Sequence, residues 1–167
     1  MVEPMKLLKF GDQIWMGENL AYLPAVRHPG WSSGESPFYY VSGYMDSIIS
    51  IAKALPNYTT YGALYNFTAA STACPMGWHL PTKAEWFILT NYLDGPAVPK
   101  MKETGIEHWV YNENATNSSG FSALPGGIKG QWEGPWSSGF FLPGNGAYFW
   151  TSTEEYSDSI NEISAWY

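Results

Sequence analysis

One stretch limits the architecture more than any other. "PTKAEWFILTNYLDG" (residues 81–95) carries Thr82 and Glu85 in a T-x-x-E capping box. Trp86, Leu89 and Leu93 then recur at helical spacing, and Gly95 lies just past the end. The spacing predicts an amphipathic helix. From residue 96 onward helical periodicity is absent, and short aromatic runs are separated by Gly, Pro and Ser: "GFSALPGGI", "GQWEGPW", "GAYFWTSTEEY". These read as short strands and loops. A chain with helical signal in its first half and strand signal in its second is expected to be α+β, with helices set apart from the sheet.

The first half supplies the remaining elements. "LLKFGDQIWMGENLAYL" reads as a strand, a tight turn at Gly11-Asp12 and a second strand through Ile14 and Met16. Residues 24–45 are rich in Pro, Gly, Ser and aromatics and read as a long loop. "DSIISIAKAL" (residues 46–55) reads as a short helix that Pro56 ends. "YGALYNFTAASTA" (residues 61–73) places Leu64, Phe67 and Ala70 at helical spacing. At 167 residues the chain is expected to be one domain with a substantial core.

Composition narrows the partners. The chain holds 9 Trp and 12 Tyr, and aromatics make up 17% against 14% charged residues. Such a chain has aromatic surface left over for sugars, peptides or proteins. The formal net charge is -7 and the basic residues are scattered, which argues against a nucleic-acid groove. After Lys129 no base follows, whereas Glu133, Glu154, Glu155, Asp158 and Glu162 do. No apolar run is long enough to span a membrane. The start "MVEPMKLLKFGDQ" lacks the apolar run of a signal peptide, so either export by that route is not expected or the chain is trimmed. Sequons at Asn57, Asn66, Asn114 and Asn117 are weak indicators of glycosylation.

Four phrases occur in order: "YGALYNFTAA", "CPMGWHLPTKAEW", "ATNSSGFSALPGG" and "AYFWTSTE…AWY". Together with "GDQIWMGENLAY" near the start they resemble the Fibrobacter succinogenes major paralogous domain, a family found largely in Bacteroidetes-type bacteria and their phages. That family is similar to the formylglycine-generating-enzyme superfamily, which shares an "LPT-x-AEW" phrase. The resemblance implies a C-type-lectin-like fold: two helices on a small, twisted antiparallel sheet with long irregular loops. Residues 27–56 are longer than the family's usual connection and read as a loop insertion. Family members continue past "AWY" with further strands and a second cysteine. For the single domain, residues 1–167, the resemblance leaves three expectations for the last strands: they are missing, supplied by another chain, or replaced.

Cys74, His79 and Glu85 raise the question of a nucleophile with its base. A nucleophilic Cys needs a base in hydrogen-bond reach and a group to orient it. Pro75 and Pro81 pin this backbone, and Glu85 already has a capping role. The expectation is a rigid corner with Trp78 and Leu80 buried. The resemblance agrees, because the related enzymes' reactive cysteines lie late in the chain, where this sequence has none. One Cys also allows no internal disulfide and no structural zinc site. His28, His79 and His108 are far apart, and no calcium-binding loop signature is present. Glu154, Glu155, Asp158 and Glu162 read as a solvated acidic loop rather than a Ca²⁺ site. "ALPGGIKG" matches no phosphate-loop pattern, and its glycines suit tight turns. No cofactor and no metal is expected.

The binding candidates are Tyr156, Ser157, Asp158, Ser159 and Asn161, a polar stretch with the composition of adaptable binding loops. An ordinary surface loop favours the same residues. The resemblance implies ligand binding in this late region, which relatives from phages and gut bacteria diversify by retroelements that mutate template adenines. Every residue from Tyr156 to Asn161 is reachable from an Asn codon by changing its first two bases; Glu154, Glu155 and Glu162 are not. Trp132 and Trp136, with Phe140 and Phe141, sit in "GQWEGPWSSGFFLPGNG". They are either an exposed aromatic platform or a small core under a loop.

The expectation is a non-catalytic module that binds a protein receptor or a glycan, on a cell surface, on a virion or in the extracellular space. The alternatives are a formylglycine-generating-type enzyme built on Cys74, or an envelope or appendage subunit whose C-terminus a neighbouring copy completes, as in a homo-oligomer.

Overall fold

The computed structural model describes residues 5–131 and 138–153, and the backbone of residues 162–165. Its first hairpin pairs β1 (Leu7–Phe10) with β2 (Gln13–Met16) in antiparallel register, Phe10 opposite Gln13. Gly11 sits in the turn at φ 59°, the left-handed region that glycine adopts without strain. Strand alternation sends Phe10 and Trp15 inward and leaves Leu7 and Ile14 exposed.

Residues 24–45 contain more than the expected loop. β3 (Tyr39–Tyr40) pairs with β4 (Leu64–Tyr65), and Val26, Tyr39, Tyr40, Val41 and Tyr44 are buried. The segment thus folds back on distant residues and adds a core of its own. α1 (Ile49–Lys53) lies within the expected helix. Pro56 does not simply stop it: Pro56 is the first residue of α2 (Pro56–Tyr61), where its missing N–H costs nothing.

The spacing of Leu64, Phe67 and Ala70 is misleading. Leu64 and Tyr65 form β4, and a helix, α3 (Phe67–Ala70), begins only after Asn66. Asn66 caps it by accepting a hydrogen bond from Ala69 N at 3.0 Å. α4 (Lys83–Tyr92) has the full capping box. Thr82 Oγ1 accepts from Glu85 N at 3.2 Å, and Thr82 N donates to the Glu85 carboxylate at 2.8 Å. α5 (Ala97–Met101) is an addition that sequence spacing does not reveal.

The second half forms two further hairpins. β5 (Ile128–Gln131) pairs with β6 (Ser138–Phe141), and β7 (Ala147–Trp150) pairs with β8 (Glu162–Ala165). The expected α+β class holds. The described residues contain five short helices and four separate two-stranded antiparallel ladders.

Two apolar clusters hold the chain together. The first joins Phe10, Trp15, Trp86, Leu89, Trp109 and Phe121. Its rings pack at angles, Trp15 on Trp86 with centroids 4.6 Å apart and Trp86 on Phe149 at 5.3 Å. Tilted contacts of this kind add to the apolar burial. The second cluster gathers Leu23, Val26, Tyr39, Val41, Tyr44 and Ala69.

Candidate binding site

The corner "CPMGWHLPTKAEW" fixes where the last hairpin begins. Ser152 N donates to Pro81 O at 2.9 Å, and Lys83 N donates to Thr153 Oγ1 at 2.9 Å. Trp150 adds a third tie, its Nε1 donating to Tyr65 O at 2.8 Å while its ring meets Phe67 edge-on at 5.8 Å. Across the ladder Trp150 stands opposite Glu162. Residues 151–161 therefore connect two paired strands whose outgoing end is bonded to both β4 and the α4 cap. Tyr156, Ser157, Asp158, Ser159 and Asn161 belong to this connection and lie outside the described residues.

The other hairpin is fastened to the same region. Ser138 Oγ donates to Pro29 O at 2.5 Å, and the Lys129 ammonium donates to Ser32 Oγ. That ammonium also lies 5.3 Å from the centre of the Tyr40 ring. Gln131 stands opposite Ser138, so residues 132–137 connect β5 to β6. Trp132 and Trp136 are in that connection, again outside the described residues. Phe140 and Phe141 are half-buried in β6. The bases of the two predicted clusters thus converge on the β3–β4 ladder and its flanking loop.

Two small residues keep this junction tight. Gly127 N donates to Gly146 O at 3.0 Å, tying the start of β5 to the start of β7. A Cβ on Gly127 would meet Phe141 O at 2.4 Å, and its φ is +70°. Below the junction, Asn66 acts as a four-way tie. Its Oδ1 accepts from Phe38 N at 2.8 Å as well as from Ala69 N, and its Nδ2 donates to Ser33 O at 2.7 Å and Ser36 O at 2.8 Å.

The Cys74, His79 and Glu85 group is partly assembled. His79 Nε2 and Glu85 Oε1 are 2.7 Å apart. Burial pushes the Glu85 carboxyl up, but the bonds from the Thr82 backbone, His79 and the Thr82 hydroxyl outweigh it, and the net shift is downward. Cys74 is half-buried, and burial pushes its thiol above the usual range. A raised thiol has less thiolate at neutral pH, the opposite of nucleophile activation. Trp78 and Leu80, expected to be buried, are half-buried, and Met76 is fully exposed. The corner stands at the surface and holds its shape through the cap and the prolines.

A cleft of about 960 Å³ is lined by residues of both apolar clusters, among them Trp15, Trp86 and Phe121 of the first and Ala63 and Tyr65 of the second, and by Tyr61 and Cys74. The Tyr65 hydroxyl is engaged with Leu20 O at 2.7 Å and Tyr22 O at 3.0 Å, and burial raises its pKa. Trp86 Nε1 is buried and has no hydrogen-bond partner. Among the described residues no group of His, Cys, Asp and Glu is arranged to hold a metal ion, and no helix is long and apolar enough to cross a membrane.

The Fibrobacter succinogenes major domain matches residues 8–166. The chain belongs to that family. No curated protein and no solved structure matches it. In this Fibrobacter succinogenes major domain the match takes in the capped corner and both late hairpins, so the framework phrases of the sequence and the hairpins' bases are parts of one unit.

Sequence reasoning missed one exposed group in this family member. Trp31 is 64% exposed and sits beside Ser32, under the β5–β6 hairpin. Arg27 stacks over Phe38 with its guanidinium carbon 5.2 Å from the ring centre. A lone Trp within "HPGWSSGE", flanked by turn residues, is the signal that points to an exposed ring.

Proposed function

We propose that this chain is a non-catalytic binding domain with a C-type-lectin-like fold, which presents ligand-contacting side chains from the β5–β6 and β7–β8 connections. The observation that carries the reading is the pair of hairpins fastened at their bases to one β3–β4 segment. Loops that carry recognition are set on rigid supports. The three hydrogen bonds around Pro81, Lys83 and Trp150 are such a support. The Tyr, Ser, Asp and Asn of residues 156–161 supply contact area and adaptable hydrogen bonding. Trp132 and Trp136 supply aromatic anchors. The raised thiol of Cys74 favours this reading over a thiol enzyme.

Ligands of this kind are protein receptors or glycans on a cell surface, and a virion or bacterial exterior is the setting in which such a domain works. Diversification of residues 156–161 by a retroelement is compatible with their residue types, each reachable from an Asn codon at its first two bases. The test is a glycan and protein array probed with the wild-type chain and with a Tyr156→Ala/Asp158→Ala/Asn161→Ala variant. The reading expects discrete ligands that the triple variant loses. An array without ligands, or a variant that binds as wild type, refutes it.

A further inference from the structure

Four side chains under the β5–β6 hairpin form a cation–aromatic group that packing alone does not explain. Arg27 lies 5.2 Å from the Phe38 ring centre and Lys129 lies 5.3 Å from that of Tyr40. Phe38 and Tyr40 meet edge to face at 6.4 Å, so the two cations cap one aromatic pair. In a chain with net charge -7 and only 8 basic residues, two have been placed together. The described residues give neither cation a carboxylate partner. Burial lowers the Lys129 pKa, and no acid among the described residues offsets it. Burial makes the charged Lys129 costly, an anion that arrives there offsets that cost, and Arg27 is exposed to the same ligand.

The setting selects among anions. Tyr40 donates its hydroxyl to Trp31 O at 2.8 Å, which holds the Trp31 backbone beside the cations. The Trp31 side chain itself is exposed. An exposed indole stacks on the apolar face of a sugar ring, while arginine and lysine take a carboxylate. A peptide strand has no edge to add to here, because Arg27 N already donates to Tyr39 O at 2.9 Å on the outer side of β3. A long polyanion would meet the repulsion of the whole acidic chain, whereas a short ligand within a Debye length of about 8 Å feels mainly the local cations.

We infer that Trp31, Arg27 and Lys129 form a subsite for a carboxylate-bearing sugar, the Trp ring taking the sugar face and the two cations taking the acid. This rests on the binding-domain reading and names a ligand class for the face beside β3 and β5.

The experiment is calorimetric titration of the full chain with a uronic-acid tetrasaccharide, its carboxyl-reduced neutral counterpart and an Asp/Glu-rich peptide. The variants are Arg27→Gln, Lys129→Met and Trp31→Ala, each checked for an unchanged melting temperature. Arg27 and Trp31 are exposed, so those two serve if Lys129→Met disturbs the hairpin. The inference expects the acidic sugar to bind at least tenfold more tightly than the neutral one, with that margin lost in the Arg27 and Lys129 variants and shrinking with added salt. Equal binding of the two sugars, a stronger response to the peptide, unchanged affinity in the variants, or no binding of the acidic sugar each overturns it. A ligand lost in the Tyr156/Asp158/Asn161 variant but kept in the Arg27 and Lys129 variants overturns the subsite while leaving the binding domain standing.

Discussion

Asn66→Ala should unfasten the platform on which both hairpins rest. The side chain makes four hydrogen bonds: two accepted from Phe38 N and Ala69 N, two donated to Ser33 O and Ser36 O. Loss of an N-cap costs about 1 kcal/mol. The three other bonds are worth about 1 kcal/mol each, with water recovering part of that at a half-exposed site. The expected loss is about 3 kcal/mol. In a domain of this length that lowers the melting temperature by about 6–12 °C. Urea unfolding followed by tryptophan fluorescence measures it. Asn66→Asp is the discriminating companion. It keeps the two acceptors but sets a carboxylate against two carbonyl oxygens, so its folded pKa is raised. Its stability should therefore improve as pH falls and worsen as pH rises through that value. A loss below about 1 kcal/mol for Asn66→Ala, or no pH dependence of the difference between Asn66→Asp and wild type, would show that Asn66 does not carry the junction.

Other outcomes follow from single sites. Thr82→Ala should cost about 1 kcal/mol and weaken the tie between the corner and the β7–β8 hairpin, read by chemical denaturation. Glu85 is held below its usual value of 4.5, so its contribution is complete above that pH and is lost as pH falls through the lower folded value. Glu85→Gln should accordingly flatten the acid limb of the stability profile. Gly127→Ala should lose more than about 2 kcal/mol, because the new Cβ meets backbone rather than a movable side chain and φ is positive. Cys74 should react with a disulfide reagent roughly tenfold more slowly than a free thiol at pH 8, read by absorbance. A rate equal to that of the free thiol would restore it as a nucleophile.

The elements legible in the sequence are the ones set by neighbours along the chain. The Thr82–Glu85 box and the Gly11-Asp12 turn act over three or four residues, and both appear where expected. What was not legible depends on distant partners. Leu64 has helical spacing to Phe67 and Ala70, yet Tyr39 and Tyr40 draw Leu64 and Tyr65 into a ladder. The loop at residues 24–45 owes its buried tyrosines to the same pairing. α5 contains Pro99 and only five residues, too short for a periodic signal. For the proposed binding site, the sequence singled out Trp132, Trp136, Tyr156–Ser159 and Asn161, and the strands that flank both segments are tied to one platform. The two stacked cations needed the fold, because Arg27 reaches Phe38 and Lys129 reaches Tyr40 only once β3 and the β5–β6 hairpin are in place.

Replacing residues 154–161 with a Gly/Ser segment of equal length tests the central claim most directly. Affinity for an array-identified ligand and the melting temperature are measured side by side. A binding domain that reads its ligand through the β7–β8 connection loses that affinity at least tenfold while its melting temperature stays within a few degrees of wild type. Retained affinity in the folded variant would contradict the account and move recognition elsewhere on the molecule.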